Sequence, residues 1–407
     1  MLITKFNVWW ILELSRSTPE VLSELQRRHG NPEFIRSPGL VLGFTERSAA
    51  MATEPSLVEL RRLPSRARIQ KTSSHTMESR TTQNILQIFE TIRLRPDGDL
   101  FESVGKARLA TQMQRWIDGG ERIKMVLPAF PFKSPNTHNK VLGALPDRAE
   151  EIALNNLEDF CCKIDNIYPA GAEIVIFGDG RVFSDLLGVS DEDVASYTRE
   201  LKKTSQAMGH THITFCGLED FMVPVEGEPL GTTLVKGITS NLNLEDPMER
   251  KTYQGFRKFV LEDQRHVFDG LNGGKKMSRK LVDQECGRIA KAMLVRNAAF
   301  SSLGDSLFPG AIRLSIHAHL NDGPKYGIDI LGTSNGNRTI TPWHCVIVED
   351  SFGIQAVKRE QVDLDKYELV SKHGRPWGFR PKGQSNRKSS AMYYRIECTK
   401  EEEPLCR

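Results

Sequence analysis

The chain has 407 residues, 39% of them hydrophobic and 26% charged, with 32 glycines and 20 prolines, proportions that exclude collagenous, mucin-like and wholly disordered chains. Its formal net charge is +3, but residues 1–80 hold 12 Lys/Arg against 8 Asp/Glu, which leaves the body neutral and without the basic stripe of a nucleic-acid binder. The longest apolar run near the start, Val8 to Leu12, falls far short of the roughly 20 residues a membrane span needs, and no secretory leader pattern precedes it.

Residues 1–82 read as an N-terminal extension. Pro19 to His29 has the pattern of a short helix, and 45–82, rich in Ser, Thr, Arg and Met, reads as a flexible connector whose basic run Arg61, Arg62, Arg66, Arg68 and Lys71 is solvated. From Ile85 the apolar positions recur at helical spacing as far as Leu94, and a second helix is expected over Phe101 to Ile117. Ile123 to Phe130 is almost continuously apolar, the mark of a strand covered on both faces. Asp147 and Glu150 form a D-x-x-E capping box ahead of the stripe Ala149, Ala153, Leu157, Phe160, Ile164, Ile167, so a helix is expected over 148–166, with Cys161 and Cys162 in its packing. A strand at Ala172 to Phe177, a helix opening at Ser190 and a strand at His212 to Phe215 follow.

Strand and helix alternating with such short connections predict an α/β fold with a Rossmann-like, doubly wound, mostly parallel sheet, flanking helices and a mixed C-terminal extension. The domain is expected over 83–360 and the extension over 361–407. Within them come helices near 248–268 and 278–302, strands near 311–319, 326–331, 345–349, 353–358 and 392–397, and a mobile loop from Gly374 to Ser390.

Ligands of an open parallel sheet bind beyond the carboxyl ends of its strands. After the first strand, three prolines (Pro128, Pro131, Pro135) stiffen a loop that presents Lys133, Ser134 and Asn136, as substrate binders or as a braced turn with a solvated lysine. After the second, Gly178-Asp179-Gly180-Arg181 and Asp185 set opposite charges beside glycines that admit close backbone approach, suited to acid/base work or to a local ion pair. Strict alternation puts Arg313, Ser315, His317 and His319 on one face of a later strand. That face suits a metal-free catalytic site, a solvated edge, or, with His344, a three-His metal centre. His210 and His212 read as local to a helix end, and seven scattered cysteines without a C-x-x-C pair point to a reducing compartment, the cytosol.

The runs LPAFPFKSPN (127–136), KVLGALPDRAEE (140–151), GDGRVFSDLLGV (178–189), RLSIHAH (313–319) and TPWH (341–344), in this order, resemble the isocyanide synthase family, also described as the pyoverdine/dityrosine biosynthesis family, over about residues 84–348. Gly178 stands where the family more often has Ser. The resemblance implies a Rossmann-like fold and conversion of the amine of an L-amino acid (valine, tyrosine or tryptophan) to an isonitrile. Ribulose 5-phosphate would donate the carbon, with no nicotinamide and no metal. Some fungal members are associated with dityrosine spore-wall precursors. The implied partners are small molecules, not nucleic acid or membrane, with room for a downstream oxygenase. Such chemistry wants a general acid and base together with cations for a phosphate and a carboxylate. Asp179, Asp185, His317 and His344 are the acid/base candidates; Lys133, Lys140, Arg181 and Arg313 are the anion binders, with Ser134, Asn136 and Ser315 beside them. The rival expectations are a metalloenzyme using His317, His319 and His344, and a non-catalytic interaction protein on the same fold.

Overall fold

The two apolar runs without a polar face set the centre of a sheet. In the computed structural model, which describes residues 79–383 except 239–241, 272, 335–337 and 339, β1 (Ile123–Pro128) and β2 (Ala172–Gly178) pair in parallel from Ile123 opposite Ala172 to Pro128 opposite Phe177. β3 (Ile213–Gly217) extends the sheet beyond β2; β4 (Ile312–Ser315) and β5 (Lys325–Gly327) extend it beyond β1. All pairings are parallel and the order is β3-β2-β1-β4-β5. The order reverses between β1 and β4, which makes the space above those strands the switch point where doubly wound sheets bind ligands.

Helices cover both faces. On one lie α1 (Arg80–Ile92), α2 (Lys106–Asp118), α3 (Arg148–Asp165) and α4 (Asp191–Ala207), sharing a core with Ile174, Ile176, Ile312 and Leu314. Each of α1, α3 and α4 starts at a residue whose side chain caps it: Ser79, Asp147 with Glu150 in a reciprocal box, and Ser190. On the other face α6 (Arg279–Leu307) crosses the sheet, its Phe300 stacked on Phe177 of β2 at 4.2 Å, and α5 (Pro247–Asp263) packs on α6. The doubly wound α/β architecture is the expected one.

A second, mixed sheet follows, in the order β7-β6-β9-β8: β6 (Val346–Asp350), β7 (Gly353–Val357), β8 (Tyr367–Lys372) and β9 (Arg375–Pro381). Two antiparallel hairpins meet through a parallel contact of Val348 with Phe379. Here an expectation is corrected, because the stretch from Gly374 that reads as a mobile loop begins with a strand. His373 (φ 53°) and Gly374 (φ 73°) form the tight left-handed turn that a two-residue hairpin requires.

Other boundaries move. The strand expected over 311–319 ends at Ser315, whose hydroxyl accepts the His317 N–H at 3.1 Å and bonds the His319 ring at 2.9 Å, turning the chain out of the sheet. The helix expected to 268 stops at Asp263, and a separate turn covers Arg265–Phe268. Arg80 to Thr82, expected in the connector, open α1. The helix at 19–29, the connector as far as residue 78 and the strand at 392–397 lie outside the described residues. Among the described residues no helix is long and apolar enough to cross a membrane.

Candidate functional site

Beyond β1 the chain turns sharply through Phe130, held at φ 55° with its ring 5.2 Å from that of Trp343. The proline-stiffened loop then runs under the turn Pro342–His344, where the Ser134 N–H donates to the Trp343 carbonyl at 2.9 Å. Three side chains from these segments meet at the last residue of α5. Ser134 Oγ donates to Asp263 Oδ1 at 2.6 Å, Lys140 Nζ donates to the same oxygen at 2.7 Å, and His344 Nε2 stands 3.7 Å from it. Asp263 is 0% exposed and its Oδ2 has no partner.

The electrostatics follow from that crowding. Burial alone would raise the Asp263 carboxyl, yet the Lys140 charge and the hydrogen bonds from Lys140 and Ser134 hold it below its ordinary range, as a carboxylate. Burial pushes His344 down to about 3, against the pull of Asp263 and with repulsion from Lys140, Lys133 and His317 added, so the imidazole is neutral at neutral pH. Thr341 Oγ1 holds its Nδ1 at 2.8 Å, and Phe259 packs edge-on to it at 5.3 Å. His317, in the turn beyond β4, is an exposed residue whose imidazole desolvation holds below its ordinary pKa. The site is therefore a buried carboxylate with an ammonium, a hydroxyl and a neutral imidazole, able to pass protons and to hold an anion.

Other candidates take different places. Lys133 departs from the expected anion binder: its ammonium is buried between Asp147 Oδ2 and Glu150 Oε2, both at 2.9 Å, and the Pro342 carbonyl at 3.0 Å. It cross-links the loop, the start of α3 and the His344 turn. Asn136 braces the end of α5 by donating to the Glu262 carbonyl at 3.0 Å. At the end of β2, Asp179 is half-buried with Oδ1 unpartnered, and burial pushes its carboxyl up to about 6. Gly180 lies so close to the Pro131 carbonyl that a Cβ there would collide with it, which locks the two strand-end loops together.

Asp185, expected as an acid or base, is gripped at both oxygens by the buried Arg296, which also donates to the Val182 carbonyl. Arg181 turns to Asp191 at 2.6 Å, and with Asp185 and Glu219 it lines a separate cleft of about 440 Å³. Arg313 faces α6 and pairs with Asp305, away from Asp263. Ser315 is spent on the turn of His317 and His319.

The three histidines expected as metal ligands do not converge. Among the described residues the group whose donor atoms lie within 4.8 Å of one another is Glu158, Cys162 and His212, before β3 at the opposite end of the sheet. Asp263 is the residue that reading the sequence missed.

A doubly wound sheet with this polar cluster at its strand-order reversal defines an α/β protein of Rossmann-like build. The family model described as pyoverdine/dityrosine biosynthesis protein matches residues 113–370, and the chain belongs to that family. The chain is 34% identical over 271 residues to the L-tryptophan isonitrile synthase AmbI2 of Fischerella ambigua, covering 65% of this chain and 79% of that one. It is 32% identical over 290 residues to the isocyanide synthase-NRPS hybrid crmA of Aspergillus fumigatus, where the match takes 66% of this chain and only 18% of the hybrid. Among solved structures, that of the PvcA protein from Pseudomonas aeruginosa superposes with a TM-score of 0.64 at 31% identity, covering 74% of this chain and 99% of PvcA.

Proposed function

We propose that this protein is a cytosolic isocyanide synthase that converts the amine of an L-amino acid to an isonitrile, with ribulose 5-phosphate as carbon donor and no further cofactor. The observation that carries the reading is the Asp263 cluster at the switch point, together with membership in a family whose relatives bear that name. In the first step the amine nitrogen attacks the ketone carbon and forms the C–N bond. Both amine protons then pass to the carbonyl oxygen, which leaves as water. A neutral His344 is suited to accept the first of these protons and return it. Lys140, fixed by Asp263, offers positive charge where the oxygen becomes anionic. Asp179, unpartnered and near neutrality in its titration, is the second proton carrier.

The test is to incubate the purified full chain with ribulose 5-phosphate and each of the coded amino acids, tryptophan, tyrosine and valine first, and to read products by mass spectrometry. An isonitrile from one of them is the expected result; no new product from any coded amino acid overturns the reading.

A further inference from the structure

On the face of the sheet that α6 covers, β4 and β5 set two cations side by side. Arg313 and Lys325 are register partners in a parallel pair, so both side chains leave the same face, toward α6. Like charges directly across neighbouring strands cost stability. Here both are also withdrawn from water: Arg313 is 6% exposed and Lys325 half-buried.

The neutralisation is incomplete. Asp305 pairs with Arg313. Among the described residues no carboxylate lies within ion-pair distance of Lys325, whose Nζ finds only the neutral Ser301 hydroxyl at 3.0 Å; Arg313 Nη2 stands 3.3 Å from that same oxygen. Burial and the Arg313 charge both lower the Lys325 pKa, the mark of an ammonium kept without a counter-ion. His319, which feels the Lys325 charge, and Ser315, two residues along β4 from Arg313, stand next to this pair and bond each other at 2.9 Å. A guanidinium fork, an ammonium and a hydroxyl converging from different elements, with one positive charge in excess, match the three oxygens of a phosphate monoester better than the two coplanar oxygens of a carboxylate.

We propose that Arg313, Lys325 and Ser301 form the subsite that holds the phosphate of a phosphorylated carbon donor, an assignment that rests on the isocyanide-synthase reading for its role in turnover. The like-charged pair is retained for its ligand and works against stability. That gives Lys325 a signature a structural lysine lacks, because removing it weakens phosphate binding without weakening the fold.

Calorimetry on the full chain with inorganic phosphate, ribulose 5-phosphate, unphosphorylated ribulose and an L-amino acid tests this. Phosphate and ribulose 5-phosphate are expected to bind the wild type, and Lys325→Met to weaken both by about tenfold or more. The same variant should leave amino-acid binding unchanged and the melting temperature equal or higher, while Lys325→Arg restores phosphate binding. Undiminished phosphate affinity in Lys325→Met, no phosphate binding by the wild type, or equal loss of amino-acid affinity overturns the subsite. Lys325-dependent phosphate binding in a protein that makes no isonitrile upholds the subsite and overturns the reaction instead.

Discussion

At the foot of β3, His212 gives one ring nitrogen to Glu158 and the other to Asp165, each at 2.7 Å, and the backbone N–H groups of Thr211 and His212 also close on Glu158. At the head of β1, His344 meets Asp263 only at 3.7 Å, and that carboxylate keeps an oxygen with no partner. The first grouping is saturated: burial would lower His212, but its two carboxylates hold it raised, as an imidazolium that ties α3 to β3. The second is kept incomplete at the cost of burying an unpaired oxygen and a discharged imidazole. A fold seldom tolerates such a deficit except where a ligand completes it, so the same two residue types make a rivet at one end of the sheet and a site at the other.

Exchanging each histidine in turn breaks the comparison if it is wrong. The largest effect is expected from His344→Gln, which puts a polar amide in place of the imidazole and leaves no base: turnover should fall by about 10²–10⁴-fold, the range for losing a positioned proton carrier, while the denaturation midpoint stays near that of the wild type. Steady-state rates with the amino acid found active, set beside urea melts, check this; near-normal turnover would remove His344 from the reaction. His212→Gln should do the reverse. It leaves Glu158 and Asp165 without their cation and should cost about 2–3 kcal/mol in urea denaturation, with the rate per folded molecule unchanged. A stability loss in His344→Gln as large as that in His212→Gln would mean that both ends are rivets.

How far the sequence announces this arrangement depends on whether the cause is local. The Asp147/Glu150 box, the apolar runs of β1 and β2 and the Ser190 cap are written in adjacent residues, and the fold class follows from their order. Asp263 is not local: its partners Ser134 and Lys140 lie more than a hundred residues away, and no spacing rule links them. One faint signal exists, since an aspartate in the last turn of a helix opposes the helix dipole and needs cations from elsewhere. Lys133 misleads for the converse reason. It looks like a loop lysine, and only tertiary packing reveals that Asp147 and Glu150, read as caps, also neutralise it. The alternation through His319 fails because the Ser315 hydroxyl competes for the backbone and ends the strand four residues early.

The smallest effect is the sharpest discriminator, because the two histidines should bend stability against pH in opposite directions. His212 is raised above its unfolded value of about 6.5, so its contribution is fully present below that pH and is lost as pH rises through the folded value. His344 is pushed down to about 3, so it takes up a proton in the unfolded chain before it does so in the folded one, and stability is lost as pH falls from the unfolded value toward the folded one. The gap in unfolding free energy between wild type and His212→Gln should therefore widen on acidification. That between wild type and His344→Gln should shift the other way, with the wild type losing about 1 kcal/mol relative to the variant between about pH 6.5 and 5.5. Urea midpoints of the three proteins across that interval decide the matter: curves that bend alike would mean that His344 is charged in the folded state, and the neutral proton acceptor beside Asp263 would be lost with it.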